Sequence, residues 1–226
     1  QADDEEAEFT ENTITQERGD VFEFTVELTE TSEATVNFGS PDDGVEANVT
    51  VEDDNGDDQV TVRLNTYKLA SSGDLPLDGG DVYSLDSDSD DNIVDQDIDS
   101  QTDGLIDAGD YDVEVQAGDQ DSADGTPGIS SSDDVATVTL NDRNTENAQM
   151  WTGSSDELGS VSDLDDVNEG IEEGQISQSS EIAVGDLAVH QLEVTGIEGA
   201  LDARANEDVT DNFFTQQGNN GVLDLT

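Results

Sequence analysis

The 226-residue chain has no cysteine and few basic, proline or aromatic residues. Without Cys it can form neither disulfide bonds nor Cys-ligated zinc sites. Five Lys and Arg residues stand against 59 Asp and Glu, which gives a formal net charge of -54 at pH 7. This excludes nucleic acids and anionic membrane surfaces as electrostatic partners, because binding them requires Lys and Arg. No apolar run is long enough for a transmembrane helix, so we expect no direct membrane insertion in this segment.

Signals of catalysis are also scarce. His190 is the single histidine and has no cluster of ligands near it in the sequence. The chain has no Gly-rich phosphate loop and no nucleophile elbow. Carboxylate pairs that resemble those of glycosidases are inevitable among 59 acids, so their spacing carries no information. The sequence therefore predicts a protein that is not an enzyme and requires no cofactor.

What the chain does contain is a repeated alternation of apolar and polar residues. Phe22, Phe24, Val26 and Leu28 alternate with acids and Thr, and four further segments do the same: 45–51, 60–64, 111–115 and 136–140. This period is typical of antiparallel strands with one buried face. Turn residues separate the strands at intervals of roughly 8–12 residues, which favours an immunoglobulin-like sandwich. The fold is thus predicted to be mainly β.

The pattern also predicts a division of the chain. Residues 1–17 form an N-terminal arm, which is either a lead-in strand or a flexible segment that could add a strand to a neighbouring copy. Residues 18–145 form the sandwich, with an acidic insertion at 69–103. Residues 146–226 form a small α+β domain. Its predicted elements are a helix containing Leu164, Val167 and Ile171 after a Ser162–Asp165 capping box, a strand over 187–194, helices over 197–204 and 209–216, and a strand over 222–225.

The acidic excess predicts a halophilic protein. Asp outnumbers Glu 38 to 21, and Lys68 is the single lysine. Repulsion at this charge density opposes a compact state unless salt screens it. The Debye length falls from about 8 Å at physiological salt to about 3 Å at 1 M. We therefore expect the chain to fold in concentrated salt and to lose its structure without it.

Four stretches carry a resemblance to a known group of proteins. They are RGDVFEFTVELTETSEATVNFG from Arg18, VEANVTVEDDNGDDQVTVRLNTY, DAGDYDVEVQAG and EIAVGDLAVHQLEVTGIEGAL. Together with the acidic bias, they resemble domains of haloarchaeal secreted cell-surface proteins, the group that includes S-layer glycoproteins. The resemblance covers most of residues 18–205. It implies an extracellular location at the cell surface, immunoglobulin-like or related β-domains, and a structural role in an envelope lattice or surface fibre.

One tripeptide, Asn48-Val49-Thr50, matches the N-glycosylation acceptor pattern. On the predicted strand Asn48 points away from the core, where a glycan has room. Such a tripeptide is also expected by chance at this composition. Asn48 is therefore a candidate glycosylation site, with an ordinary outward asparagine as the alternative.

An acidic segment over residues 86–99 is the candidate metal site. Ca²⁺ prefers six to eight oxygen ligands, and alternating carboxylates supply them. Asp86, Asp88, Asp90 and Asp97 fall near ligand positions of an EF-hand loop, but Asp91 stands where that loop needs Gly. The two interpretations are an ordered Ca²⁺ or other salt cation, and a solvated loop that binds cations loosely.

These observations lead to a functional expectation with an alternative. The first is a structural cell-surface protein of a halophilic archaeon that forms or decorates an S-layer or surface filament by self-assembly. Its partners would be copies of itself, as a homo-oligomer or homopolymer, and envelope glycoproteins. The alternative is a non-catalytic accessory or adhesin domain of a secreted halophilic hydrolase or binding protein.

Overall fold

The computed structural model describes residues 5–69, 81–86, 89–102, 104–120, 125–154, 161 and 163–203. The chain forms two compact units. Unit 1 contains the residues up to Arg143 and resumes at Gly196, and unit 2 contains Asn144–Thr195. Unit 2 is therefore an insertion into the chain of unit 1.

Unit 1 is built from two sheets. One sheet has the order β1-β3-β6-β7 and the other has the order β2-β10-β9-β4-β5-β8. The strands are β1 Glu6–Phe9, β2 Thr13–Glu17, β3 Val21–Thr29, β4 Glu33–Ser40, β5 Val45–Glu52, β6 Gln59–Asn65, β7 Tyr83–Leu85, β8 Asn92–Ser100, β9 Gly109–Ala117 and β10 Asp134–Asn141. A short 3₁₀ helix, Pro41–Asp43, joins β4 to β5.

The alternating apolar residues form one core between these sheets. β3 contributes four buried side chains that contact buried side chains of β4, β5, β9 and β10 within one cluster. Phe22 of β3 and Phe38 of β4 lie on opposite sheets with ring centroids 6.2 Å apart. Strands with one apolar face must bury it against a second layer. The predicted mainly β fold is confirmed.

Two features are compatible with the predicted immunoglobulin-like arrangement. Two sheets, one of four strands and one of six, enclose a single core, which is the architecture of a β-sandwich. Tyr111, at the start of β9, donates its hydroxyl hydrogen to the Asp107 carbonyl at 2.8 Å. This is the tyrosine-corner contact found in such sandwiches.

Residues 6–9 and 13–17 are strands of the sandwich, as a lead-in strand would be, and do not form a flexible arm. β1 pairs antiparallel with β3, and β2 pairs parallel with β10. Ala7 and Phe9 enter the core, and the Phe9 N–H donates to Asp134 Oδ2 at 3.0 Å. Acidic residues at alternate positions conceal the strand signal, since the apolar face of a four-residue strand holds two residues.

The predicted insertion at 69–103 also contributes strands. β7 pairs with β6, and β8 pairs with β5 along its whole length. Ile93 and Ile98 of β8 pack against the core, while Asp95, Asp97 and Asp99 are opposite the polar side chains of β5. The acids that suggested a loop are thus the outward-facing half of an alternating strand.

Unit 2 is a small α+β unit. Its strands are β11 Thr145–Gly153, β12 Ile176–Gln178 and β13 Leu187–Val194, in the order β12-β11-β13. Helix α1, Leu164–Glu172, has Asp163 as its N-cap, whose carboxylate accepts the Asp166 N–H at 3.0 Å. Ser162, the predicted capping residue, lies outside the described residues.

Residues 196–203 return to unit 1, although the sequence assigned them to the second domain. They contain helix α2, Glu198–Asp202, whose Ala200 packs with Tyr67. The predicted helix at 209–216 and the predicted strand at 222–225 lie outside the described residues. Among the residues described, no helix combines the length and the apolar composition needed to cross a membrane.

Candidate functional site

The outer face of the six-stranded sheet places Asn48 in a polar row across three strands. In the register Asn48 is opposite Asn37 of β4 on one side and Asp97 of β8 on the other. Asn37 Nδ2 donates to Asn48 Oδ1 at 3.0 Å and lies 3.5 Å from Glu46 Oε1. The face is therefore organised by side-chain hydrogen bonds between strands.

Asn48 faces away from the hydrophobic core, as predicted, but its side chain is not open to solvent. It is 5% exposed, and Thr50, the third residue of the acceptor pattern, is fully buried. The Thr50 hydroxyl is 3.1 Å from that of Thr35 on β4. Asn48 is thus less accessible than an ordinary outward residue, and its amide oxygen is occupied by the Asn37 side chain. Its glycosylation stays a prediction.

The candidate metal ligands are spread along an extended segment. Asp86 directly follows β7, Asp90 precedes β8, Asp97 lies within β8, and Asp88 lies outside the described residues. A strand rises about 3.3 Å per residue, so Asp97 lies roughly 20 Å along the chain from Asp90, whereas Ca²⁺ ligands lie at about 2.3–2.6 Å from the ion. The extended chain therefore keeps Asp90 and Asp97 of one copy apart, and a metal site in this segment stays a prediction.

In the described part of the chain, no group of three or more His, Cys, Asp or Glu side chains is placed to hold a metal ion. Several acids of the segment bind protein groups instead. Asn55 Nδ2 donates to Asp91 Oδ1 at 2.9 Å, and Asn92 Nδ2 donates to Asp54 Oδ2 at 3.2 Å. Looser cation binding along this segment stays a prediction.

The turn that contains Asp54 and Asn55 is stabilised by Asp53, the residue at its start. Asp53 is buried, and its carboxylate accepts the N–H groups of Gly56 at 2.7 Å and Asp58 at 2.8 Å. A carboxylate that accepts backbone N–H groups stabilises a tight turn. This turn, together with the start of β8, forms an acidic end of unit 1.

Basic residues gather where the chain leaves and rejoins unit 1. Arg18 Nη2 lies 2.8 Å from Asp142 Oδ1, and Lys68 Nζ lies 3.4 Å from Asp202 Oδ2. The Arg18 and Lys68 side chains are 27% and 14% exposed, whereas their partners Asp142 and Asp202 are 75% and 43% exposed, so salt screens both pairs. Two of the five basic residues of the chain, Arg18 and Lys68, thus bind acids at the end of β10 and in α2.

The same region contains a buried polar cluster around α2. Asp20 accepts N–H groups from Gly196 and Glu198, and Asn65 Nδ2 donates to the Gly199 carbonyl at 3.0 Å. Burial raises the pKa of the Glu198 carboxyl, and the nearby negative charge of Asp20 raises it further. This cluster joins residues separated by more than 130 positions.

Sequence reasoning missed this cluster. The signal available was the pair Gly196 and Gly199 at the start of a short helical segment. Glycines there permit close backbone approach. Gly196 has a φ of +76°, in the region that favours glycine. Nothing in the local pattern indicates which part of the chain makes the approach.

Comparisons with known proteins identify relatives of the chain. The family model described as Domain of unknown function (DUF7827) matches residues 1–118. A protein of Haloferax gibbonsii named Cell surface glycoprotein is 36% identical over 204 residues, which cover 89% of this chain and 21% of the relative. Cell surface glycoprotein 1 of Haloarcula hispanica is 35% identical over 224 residues, 95% of this chain and 23% of the relative.

A further relative, Cell surface glycoprotein 2 of Haloarcula hispanica, is 34% identical and covers 92% of this chain and 22% of its own length. The chain thus spans less than a quarter of the length of the curated relatives it matches. The predicted resemblance to haloarchaeal cell-surface proteins and the predicted location at the cell surface are confirmed. The chain belongs to the family of the Domain of unknown function (DUF7827), and its relatives are haloarchaeal cell surface glycoproteins.

Proposed function

We propose that the chain is a non-enzymatic structural module that forms or decorates an S-layer or surface filament by self-assembly. The observation that carries this proposal is the similarity to cell surface glycoproteins over 89–95% of the chain. The described geometry supports it, because the apolar residues of unit 1 are used in a continuous core and its outer faces carry the acids. Such a unit is a rigid, strongly hydrated building block.

Assembly of these units requires that salt suppress their mutual repulsion. With a formal charge of -54 per chain, two copies repel strongly in dilute buffer. At molar salt, charges further apart than about 3 Å are screened from one another. Cations held between carboxylates of adjacent copies would add a direct attraction, since Ca²⁺ and similar ions accept oxygen ligands from more than one chain.

The segment proposed to bind these cations is the edge strand β8 with its preceding loop. β8 has nine residues, whereas the other edge strands β1, β2 and β7 have three to five. Asp97 lies on its outward face, and Asp90 lies just before it. Asp86 and Asp88 complete the proposed set. Each ion would take its ligands from two copies, because the strand keeps these acids apart within one copy.

Electron microscopy of the purified full chain in about 3 M salt, with and without added Ca²⁺, tests the proposal. The expected result is ordered sheets or filaments whose abundance rises with Ca²⁺. A triple variant of the proposed ligands in the β8 segment, Asp86, Asp90 and Asp97 to Asn, should weaken the Ca²⁺ effect. The matched control changes Asp110, Asp112 and Glu114 of β9 to their amides.

Two outcomes contradict the proposal. Monodisperse particles under every condition would count against self-assembly and favour an accessory or adhesin domain. Hydrolysis of peptide or glycan substrates by the isolated chain would overturn the non-enzymatic role. An unchanged Ca²⁺ response in the β8 variant would leave assembly intact and remove β8 as the cation-binding segment.

A further inference from the structure

The two chain connections of unit 2 start from a single place on unit 1. Arg143 and Gly196 are side by side there, since a Cβ on Gly196 would lie 3.2 Å from the Arg143 Cα. Inside unit 2, the Thr195 N–H donates to the Asn144 carbonyl at 2.8 Å, and the Asn144 N–H donates to Thr195 Oγ1 at 3.0 Å. The first and last residues of unit 2, Asn144 and Thr195, are therefore hydrogen-bonded to each other.

The connection that enters unit 2 is fixed to the sandwich just before it leaves. The Arg18 N–H donates to the Asn141 carbonyl at 3.0 Å and extends the β2–β10 ladder by one bond. The Arg18 guanidinium then pairs with Asp142. To detach this connection, a force has to break both the backbone hydrogen bond between Arg18 and Asn141 and the ion pair between Arg18 and Asp142.

The connection that leaves unit 2 is held by a buried carboxylate. Asp20 is 8% exposed and accepts the Gly196 N–H at 3.0 Å and the Glu198 N–H at 2.9 Å. Releasing this connection takes both donors away from Asp20. A buried charge without partners is strongly unfavourable, so the attachment resists opening.

Helix α2 adds a second attachment. Asn65 Nδ2 donates to the Gly199 carbonyl and to Asp202 Oδ2, each at 3.0 Å. The Gly199 N–H donates to the Gly19 carbonyl at 2.9 Å. Residues 196–203, which we name the latch, are thus bound to unit 1 by backbone and side-chain hydrogen bonds on both sides of Gly199.

We propose that the latch keeps unit 2 out of the path of a pulling force along the chain. Tension applied between Glu5 and Ala203 enters unit 1 through β1 at one end and through the latch at the other, and not through residues 144–195. When the latch opens, the pull reaches Thr195 and separates it from Asn144. β13 then separates from β11 one residue pair at a time, starting at this end.

In a module of a surface layer, the latch would therefore open first under tension, and unit 2 would unfold only afterwards. With the latch closed, unit 2 keeps its fold under load. With the latch open, residues 144–203 lengthen by about 200 Å, at roughly 3.4 Å per extended residue. The latch thus sets the force at which stored chain is released.

Single-molecule force spectroscopy on the full chain, held at residues 5 and 203 in about 3 M salt, tests this inference. In the unaltered chain, no step of about 200 Å should precede unfolding of the sandwich. In the Asp20→Ala variant, that step should occur at a force below the one that unfolds the sandwich. Asp112→Ala removes an exposed acid from β9 and serves as the control. Should Asp20→Ala lack native circular dichroism, the nearly isosteric Asp20→Asn replaces it with the same expectation.

A second variant identifies the source of the step. Asn144→Cys with Thr195→Cys, added to the latch variant, allows a disulfide to close unit 2 at its base, since the chain has no other Cys. Oxidation should remove most of the step, and reduction should restore it. The inference is overturned by an early step in the unaltered chain, by its absence in a folded latch variant, or by a step that oxidation leaves unchanged.

Discussion

At Gly199 the surrounding atoms leave no room for a side chain. A Cβ there would meet Asn65 Oδ1 and would lie 2.6 Å from the Gly19 carbonyl oxygen and 2.9 Å from the Tyr67 Cβ. Two of these are backbone or Cβ atoms that cannot rotate away. The close approach of α2 to β6 and to the turn before β3 therefore depends on this glycine.

Gly199→Ala should destabilise unit 1 by about 1–3 kcal/mol, because overpacking forces the latch to shift. Urea unfolding in molar salt measures the change. Gly109→Ala is the control, since a Cβ at Gly109 meets no atom within 4 Å. Equal stability of the two variants would contradict the close packing of α2.

Glu198 contributes a pH dependence to stability. Burial and the charge of Asp20 raise its pKa above the ordinary value of 4.5 in the folded chain. The folded state therefore holds this proton more tightly than the unfolded state does. The contribution is fully present below the ordinary pKa and is lost as the pH rises through the raised value.

Glu198→Gln should remove this part of the pH dependence and leave the chain at least as stable as the original at neutral pH. Unfolding free energies measured across this pH range, as a difference between the two proteins, provide the test. Glu11→Gln removes an equal charge from an exposed loop and is the control. A steeper pH dependence in the Gln variant would refute the assigned cause.

Asn48 should accept a glycan before the sheet closes and not afterwards. Its low exposure and the burial of Thr50 keep the acceptor pattern from an enzyme once β5 is paired on both sides. A haloarchaeal membrane fraction should therefore modify a peptide of residues 44–54 but not the folded chain. Mass spectrometry distinguishes the two. Equal modification of both would contradict the burial of this site.

At the scale of elements, the sequence predicted the strands whose apolar residues alternate without interruption. β3, β5, β6, β9 and β10 follow from that pattern, and a strand at β13 was also predicted. β8 was not predicted, because Asp95, Asp97 and Asp99 dominate its composition and its inward residues include Gln96. The local sequence pattern could not predict which strand pairs with β2. Its parallel partner is β10, which lies more than a hundred positions away in the chain.

In the candidate site too, local pattern predicts some features, and others depend on contacts between distant parts of the chain. The face on which Asn48 lies could be predicted from period two, but its burial could not, since that depends on Asn37 and Asp97 from other strands. The acidic segment was predicted as a loop, and pairing with β5 makes it a strand. The latch cluster joins Asp20 and Asn65 to residues after 195, a contact that local sequence does not encode.

Unit 1 should fold without unit 2. Because Arg143 and Gly196 are neighbours, a short Gly-Ser link can replace residues 144–195 without displacing the latch. We expect this shortened chain to keep its β-sheet circular dichroism and to unfold cooperatively in molar salt. A matched chain that ends at Arg143 lacks the latch and should be less stable. Failure of the linked chain to fold would show that unit 2 supports the sandwich.

At the scale of the whole molecule, salt controls whether the chain is compact. Transfer from about 3 M to about 0.1 M salt lengthens the Debye length several-fold and restores repulsion among the acids. Unit 2 should lose its structure first, because residues 144–195 contain no Lys or Arg. Among its described residues, Ile176 is the one large hydrophobic side chain that is buried.

Circular dichroism during dilution, with Trp151 fluorescence as a reporter of unit 2, measures this order. The fluorescence change should precede the loss of the β signal. A spectrum that stays constant down to dilute buffer would contradict the dependence on salt, and simultaneous changes would contradict the independence of the two units.

We propose that the chain is a structural part of a haloarchaeal cell surface. Cryo-electron tomography of native envelopes from a haloarchaeon that produces it, with an epitope tag located by gold-labelled antibody, tests this most directly. We expect gold particles on the outside of the cell, spaced in an ordered array. Labels confined to the cytoplasm, or scattered outside the cell without any repeating arrangement, would contradict it.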